Sequence, residues 1–471
     1  MTLSVSRMAT ALLPALALVA APALAQDGFR TESTVQPVAA DGGEPDASVG
    51  AIAYTVPSDQ PRPILFAFNG GPGASSTFLH LGVLGPYRVE VPVDPAAPLP
   101  ETVQPVSNKG GLLDTADLVF LDPPGTGLSR RDEGDPAVYN SVAGDAAAVA
   151  QAVVAWLEAH DRMDAPVYIL GESYGTIRAV AMLDAFAAME DKPDMRGVIL
   201  LGQALNMIET SQRPDNIVSH ALALPTLAAI ACYHDKAEKP CDPAEGARAA
   251  TEFARSDYLD ALFAGGRLDE GRRQAIAARL EALTGIGADY FLAHDLHISK
   301  EQFRVALLRD EGRVLGRYDA RYTAPLPEDA GETVGPDAFS AVSNLYAAAM
   351  PGYLERFGIV PDPQAYRVIT RFAGEWRYGS ADSPFADWPF MTSVERAAAA
   401  NPCLRLFIGT GMFDLTTTTG AADYLLAKSD LPEDRAVSLT YGAGHMFYSD
   451  PAARERLLDD LRGFIAGDAC R

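Results

Sequence analysis

The chain has 471 residues, 48% apolar and 21% charged, with 3 Trp, 17 Tyr and 19 Phe. That composition supplies a large packed core and excludes wholesale disorder. Set against 62 acidic side chains, 38 basic ones leave a net charge of −24, a field that repels phosphate backbones and argues against nucleic acid as a partner.

Taken in chain order, the first segment reads as a leader. Arg7 precedes an apolar run over 8–21, and Ala23-Leu24-Ala25 places small residues at −3 and −1 of a cleavage site. Residues 1–25 are expected to be a signal peptide cut after Ala25, leaving a secreted or periplasmic protein with no stable membrane insertion. The alternative, an uncleaved anchor, needs roughly 20 apolar residues. No later stretch reads as a span.

Residues 26–50 read as a ragged start with one edge strand. From residue 51 short apolar runs bounded by Gly and Pro predict buried strands at 64–68, 118–121, 167–170 and 198–201. Helical spacing over 141–161 and 176–189 separates them. Strand–helix alternation of this kind predicts a mostly parallel central sheet flanked by helices. The alternation stops near residue 203. Residues 205–385 read as a largely helical cap insertion, with pieces such as 269–283. Strands then resume at 404–408 and 437–440, and a final helix over 451–465 carries Pro at its first turn. The expected division is core 26–204, cap insertion 205–385 and core 386–471.

Cys232, Cys241, Cys403 and Cys470 allow three pairings. An exported chain favours disulfides, with Cys232–Cys241 closing a short loop and Cys403–Cys470 tying a late strand to the C-terminus. None has the close spacing of a zinc or redox site.

The chemistry concentrates in Gly171-Glu172-Ser173-Tyr174-Gly175. It fits G-x-S-x-G, follows a predicted strand and opens a predicted helix, the context of a nucleophile elbow; the bland reading is a Gly-rich turn with a capping Ser. A Ser hydroxyl needs a base and an orienting carboxylate. Of the seven histidines, His160, His220 and His234 have no chemical context, and His294 and His297 lack a third ligand. His445, in the Gly-rich GAGHM (442–446), follows the last strand. Asp414 follows the strand before it, ahead of its competitors Asp423 and Asp450, which suit helix and cap positions. The order Ser173, Asp414, His445 is that of an α/β-hydrolase. An oxyanion needs two N–H donors. Tyr174 provides one from the elbow, and Gly71 in Asn69-Gly70-Gly71-Pro72-Gly73 provides the other.

Together NGGPGASS (69–76), LDPPGTGLS (121–129), GESY (171–174), the loop 409–414 and GAGHM resemble the serine carboxypeptidases, the carboxypeptidase Y-like hydrolases. The resemblance spans about 64–446 and leaves the cap without signal. It implies Ser173 as nucleophile, His445 as base, Asp414 as its orienter, and Gly71 and Tyr174 as the oxyanion hole. It also implies that Asn69 and Glu172, with Gly70 beside them, hold a peptide's terminal carboxylate. The departures are specific. The family's second Glu falls at Val83, its Trp before the Asn at Ala67 and its Cys at Ala74. Glu172 has thus lost its carboxyl partner, which implies altered carboxylate recognition and weaker dependence on acid pH. Arg178 and Arg88 are candidates to replace the missing contact. Tyr318, Tyr322 and Tyr353 in the cap read as packing.

The expected function is therefore a secreted serine carboxypeptidase working through an acyl-enzyme on peptide or small-ester substrates, with no cofactor and no metal. An esterase, acyltransferase or aminopeptidase on the same core is the alternative, and a non-catalytic binding protein on a hydrolase scaffold is the alternative of another class. Oligomeric state and side-chain preference are open at this level.

Overall fold

The computed structural model describes residues 28–39, 43–131, 136–213, 215–335, 337–360, 362–372, 374, 376–379, 390–467 and 470. The expected signal peptide, 1–25, lies outside the described residues.

Eight strands build the main sheet: β1 (Arg30–Val38), β2 (Ala47–Thr55), β3 (Ile64–Phe68), β4 (Asp117–Asp122), β5 (Pro166–Glu172), β6 (Asp194–Leu201), β7 (Arg405–Gly411) and β8 (Ala436–Tyr441). Their spatial order is β1-β2-β4-β3-β5-β6-β7-β8. Only β2 runs against its neighbours; from β4 to β8 every pairing is parallel. This is the α/β-hydrolase sheet, mostly parallel as the alternation of strands and helices predicts. Its central strands are apolar throughout because both faces are covered: all five residues of β3 and all six of β4 are buried.

The start of the chain differs from the reading. Instead of one edge strand, the segment forms an antiparallel hairpin of two nine-residue strands, β1 and β2. Six consecutive residues of β2 are buried. Its three alanines and a glycine dilute Val49, Ile52 and Tyr54 and leave no period-2 alternation, so the strand signal is weak.

On one face lie the helices Val142–Ala159 and Tyr174–Ala188, joined by Phe390–Ala400 in a shared apolar cluster. The first is capped by Ser141, whose side chain accepts from the Gly144 N–H at 3.1 Å. Contrary to the reading, this helix is long and apolar enough to cross a membrane, but 61% of that stretch is buried, as a core helix should be. Pro451–Ala466 and Ser340–Arg356 cover the opposite face.

Between β6 and β7 the helices Ile217–Tyr233, Pro243–Phe253 and Glu270–Thr284 pack around their own apolar cluster. Asp242 and Asp269 cap the latter two, and Gly285 ends the last in the left-handed conformation. This segment also holds two short antiparallel strands that the reading missed, Arg313–Leu315 and Thr323–Pro325. Both favoured disulfides are present, Cys232–Cys241 and Cys403–Cys470.

Candidate active site

The elbow is dictated by backbone crowding. β5 ends at Glu172, Ser173 takes φ 58°, and the helix begins at Tyr174. A positive φ on a non-glycine residue is strained and persists only where its surroundings hold it. Here the Ser173 N–H donates to the Leu201 carbonyl at 2.9 Å, and two donors from Thr176 engage the Ser173 carbonyl. A Cβ at Gly171 would sit 2.1 Å from the Gly175 carbonyl oxygen, so strand and helix can meet only without one. The NGGPG loop abuts the same turn: a Cβ at Gly70 would lie 2.5 Å from the Tyr174 nitrogen. Gly71, Ser173 and Tyr174 line one cavity of about 100 Å³, together with Thr416 and Thr417.

Asp122, the Asp of LDPPG, explains why that block accompanies the NGGPG block. Its buried carboxylate accepts from the Ser76 N–H and hydroxyl, the Leu128 N–H and the Tyr366 hydroxyl, at 2.9–3.0 Å. It ties two loops and a distant tyrosine into one support.

Asp414 and His445 meet at the end of β7 and β8. His445 Nδ1 lies 2.6 Å from Asp414 Oδ2. Asp414 Oδ1 accepts from the Thr416 N–H at 2.7 Å and the Thr416 hydroxyl at 2.5 Å, while Oδ2 also accepts from Thr417. Burial alone would raise the Asp414 pKa, but His445 and these hydroxyls outweigh it and hold the carboxyl below its ordinary range. Burial likewise disfavours the His445 imidazolium, yet Asp414, with help from Glu172, holds the ring above its ordinary value. The outer nitrogen, Nε2, is buried with no hydrogen-bond partner, so no bond joins it to the Ser173 hydroxyl. The ring is nonetheless beside the elbow. A Cβ at Gly202, the residue after the carbonyl that holds Ser173, would lie 2.9 Å from His445 Cε1. Hydrogen bonds of this kind are commonly long before substrate enters.

Asn69 and Glu172 also come together. Glu172 Oε2 accepts from Asn69 Nδ2 at 2.8 Å and from the Tyr448 hydroxyl at 2.7 Å. Burial pushes the Glu172 pKa up to about 7, with His445 and the two donors opposing. Val83 is fully buried in the core, so no acid takes the place of the family's second Glu there. Neither arginine replaces it. Arg178 is 1% exposed, its Nε 2.7 Å from Asp145 Oδ2 and its Nη1 2.7 Å from the Asn69 carbonyl, and Arg88 pairs with Glu90 at 2.8 Å. Both take the structural or surface roles that are commoner for arginine: Arg178 is consumed in bracing the elbow because a buried guanidinium requires acceptors on several sides.

The remaining candidates settle simply. Asp450 caps the final helix, and Asp423 faces Arg255 at 4.0 Å. His160 bonds Glu32, His234 bonds the Ala320 carbonyl, His294 stacks on Tyr290, and the His220 and His297 rings lie 4.4 Å apart. Among the described residues no group of three or more His, Cys, Asp or Glu side chains is placed to hold a metal. Tyr322 and Tyr353 are buried, whereas Tyr318 is 39% exposed with its ring 5.1 Å from that of His445. Four contributors escaped the reading. Thr416 and Thr417 left a faint signal as a hydroxyl run after Asp414. Tyr448, and Lys300, whose Nζ donates to the Thr416 carbonyl at 3.2 Å, left none.

The family model described as serine carboxypeptidase matches residues 53–221. No curated protein matches the sequence. Among solved structures, a thermostable carboxyl esterase from Bacillus coagulans is 13% identical with a TM-score of 0.38, covering 94% of this chain and 99% of that one. A haloalkane dehalogenase variant from Bradyrhizobium elkanii is 14% identical with a TM-score of 0.36, covering 93% and 98%. A peroxisomal alpha-beta-hydrolase from Saccharomyces cerevisiae is 10% identical with a TM-score of 0.37, covering 94% and 91%. Likenesses at that level add nothing to what the strand order already establishes. The chain resembles the serine carboxypeptidases over residues 53–221, and with its α/β-hydrolase sheet this supports a serine hydrolase.

Proposed function

We propose that the protein is an exported serine carboxypeptidase that releases C-terminal residues through an acyl-enzyme. The observation that carries the reading is the His445–Asp414 pair, its Nε2 without a hydrogen-bond partner and its ring beside Gly202 at the elbow, where Ser173, Gly71 and Tyr174 share one cavity. Ser173 attacks the scissile carbonyl and His445 Nε2 takes the hydroxyl proton, while Asp414 steadies the imidazolium. The N–H groups of Gly71 and Tyr174 stabilise the oxyanion. The tetrahedral intermediate collapses, the leaving amine receives its proton from His445, and water releases the acid by the same steps in reverse. Asn69 and Glu172 receive the substrate's terminal carboxylate. Below pH ~7 Glu172 is protonated and can donate to that carboxylate; above it the two negative charges repel, so burial alone gives carboxylate binding a preference for acid pH where loss of the second carboxyl implies a weaker one. The two disulfides and the leader-like residues 1–25 support export.

A second reading, an esterase on the same core, is favoured by Val83, which leaves Glu172 without a second carboxyl. One experiment separates them. Labelling by an organophosphonate should be lost in Ser173→Ala, and hydrolysis should fall by about 10⁴-fold or more. Products from a peptide library, assayed with free and amidated C-termini, should show single residues released only from the free acids. Equal cleavage of both forms, or of simple esters alone, selects the esterase; an unlabelled wild type rejects both.

A further inference from the structure

The insertion reaches the candidate triad through the turn of its short hairpin, residues 316–322, between the strands Arg313–Leu315 and Thr323–Pro325. The turn is closed by the Gly316 N–H on the Tyr322 carbonyl at 2.7 Å and lies between the two loops that carry Asp414 and His445. On the Asp414 side, the Leu415 N–H donates to the Arg317 carbonyl at 3.1 Å and the Ala320 N–H donates to the Phe413 carbonyl at 3.0 Å. Both chain neighbours of Asp414 are thus held. On the His445 side, the His445 N–H donates to the Tyr318 carbonyl at 2.5 Å and the Gly444 N–H to Asp319 Oδ2 at 3.0 Å. Arg321 Nη1 completes the seam on the Gly442 carbonyl at 3.2 Å.

The turn has its own anchor. Asp319 is 1% exposed and receives Arg321 Nε at 3.0 Å and Nη2 at 2.8 Å, a forked pair. Arg321 also reaches Asp450, the cap of the final helix, at 3.2 Å. Asp337 accepts the Arg317 and Tyr318 N–H groups at 2.7 and 3.1 Å. The fit is tight enough to fix a residue of the GAGHM block: a Cβ at Gly444 would lie 2.3 Å from the Tyr318 carbonyl oxygen.

We propose that Asp319 is a positioning residue which, locked by Arg321, makes the hairpin turn a brace that sets the His445–Asp414 pair at working distance from Ser173. The inference rests on the hydrolase reading of that site. Loops rich in glycine do not hold a side chain in place by themselves, and a misplacement of about 1 Å at a reacting group can cost about 100-fold in rate. Asp319 touches no reacting atom. Its single carboxylate joins the His445 loop, through Gly444, to a buried cation that also grips the final helix.

The test uses the full chain with Asp319→Ala and Asp319→Asn. Organophosphonate labelling of Ser173 and turnover of a small ester are measured, with a thermal melt as the check on folding. Asn keeps an oxygen for the Gly444 N–H and nearly the same shape. Asp319→Ala is expected to lose about 10- to 100-fold in both labelling rate and kcat, with KM changed by less than about threefold. Asp319→Asn, which keeps the Gly444 acceptor but turns an amide NH2 toward the Arg321 donors and so loses the fork, is expected to recover only part of that loss. A folded Asp319→Ala that labels and turns over like wild type overturns the brace, and so does a loss confined to KM. Should Asp319→Ala not fold, Arg321→Lys keeps the charge without the fork; about a tenfold fall in kcat is expected, and an unchanged kcat overturns the proposal. An inert wild type is a failure of the hydrolase reading, whereas a reactive wild type with unaffected variants is a failure of the brace alone.

Discussion

The two ends of the candidate triad are built differently. The Ser173 end is made by contacts between segments of the core sheet: β5, the helix after it, and the NGGPG loop, pressed together so closely that Gly70 and Gly171 cannot bear a side chain. The His445–Asp414 end is made of two loops whose neighbours belong partly to the insertion, through the hairpin turn and Lys300. The first is rigid by sterics, the second by hydrogen bonds from a segment more than 90 residues away along the chain. Removing an atom contact at the first end should therefore damage the fold. At the second end it should shift a distance.

Arg178→Met should show the difference most strongly. Arg178 and Asp145 are both almost fully buried, and the substitution leaves the Asp145 carboxylate with the Tyr174 hydroxyl at 2.9 Å and without its cation. Breaking a buried pair from one side costs about 3–5 kcal/mol. The Asn69 carbonyl loses a donor as well. Denaturant titration should show that loss, and phosphonate labelling should fall with it; a variant as stable as wild type would show that the elbow does not depend on this cation.

What the sequence shows and what it hides follow the same division. GESYG and NGGPG are legible because their demand is local: a backbone that must approach another backbone calls for glycine whatever surrounds it. Asp414 and His445 are legible from their places after β7 and β8. Thr416, Thr417 and Tyr448 are not, since a hydroxyl that completes a carboxylate's shell obeys no spacing rule. The hairpin turn was hidden for a stronger reason. Strands of three residues carry almost no periodicity, and the partners of residues 317–321 lie near 413–415 and 442–450, a pairing only the tertiary fold creates. Arg178 is a candidate contact by its place one turn into the elbow helix, but its guanidinium is taken by Asp145 and the Asn69 carbonyl, partners that no spacing in the sequence announces.

Glu172 sits between the two ends, and Glu172→Gln sharpens the comparison. With its pKa pushed up from 4.5 to about 7, folded Glu172 binds a proton that the unfolded chain releases as pH rises past 4.5. Its ionisation then opposes folding. The stability contribution is whole below 4.5 and is lost as pH rises through about 7. Gln cannot ionise, and its amide oxygen still accepts from Asn69 and Tyr448. The variant should be more stable than wild type by roughly 3 kcal/mol at pH 8 and should gain little at pH 4. An equal gain at both pH values would trace the effect to packing instead of charge.

The smallest effect expected is on the pH dependence of the reaction, and it reads the His445 end directly. His445 must be neutral to accept the Ser173 proton, so kcat/KM for an ester should rise with pH along a limb set by its pKa. Burial favours the neutral ring, but Asp414 and then Glu172 favour the charged one and hold the pKa above the ordinary 6.5. The limb should therefore lie above pH 6.5 in wild type. In Glu172→Gln one of the negative partners is gone while Asp414 stays at 2.6 Å, so the limb should move toward lower pH without reaching the position that loss of Asp414 would give. An ester without a terminal carboxylate keeps substrate binding by Glu172 out of the measurement. A limb that stays fixed in the variant would show that Glu172 and the base are electrostatically separate, and one that moves to higher pH would reverse the sign of the coupling between the two ends.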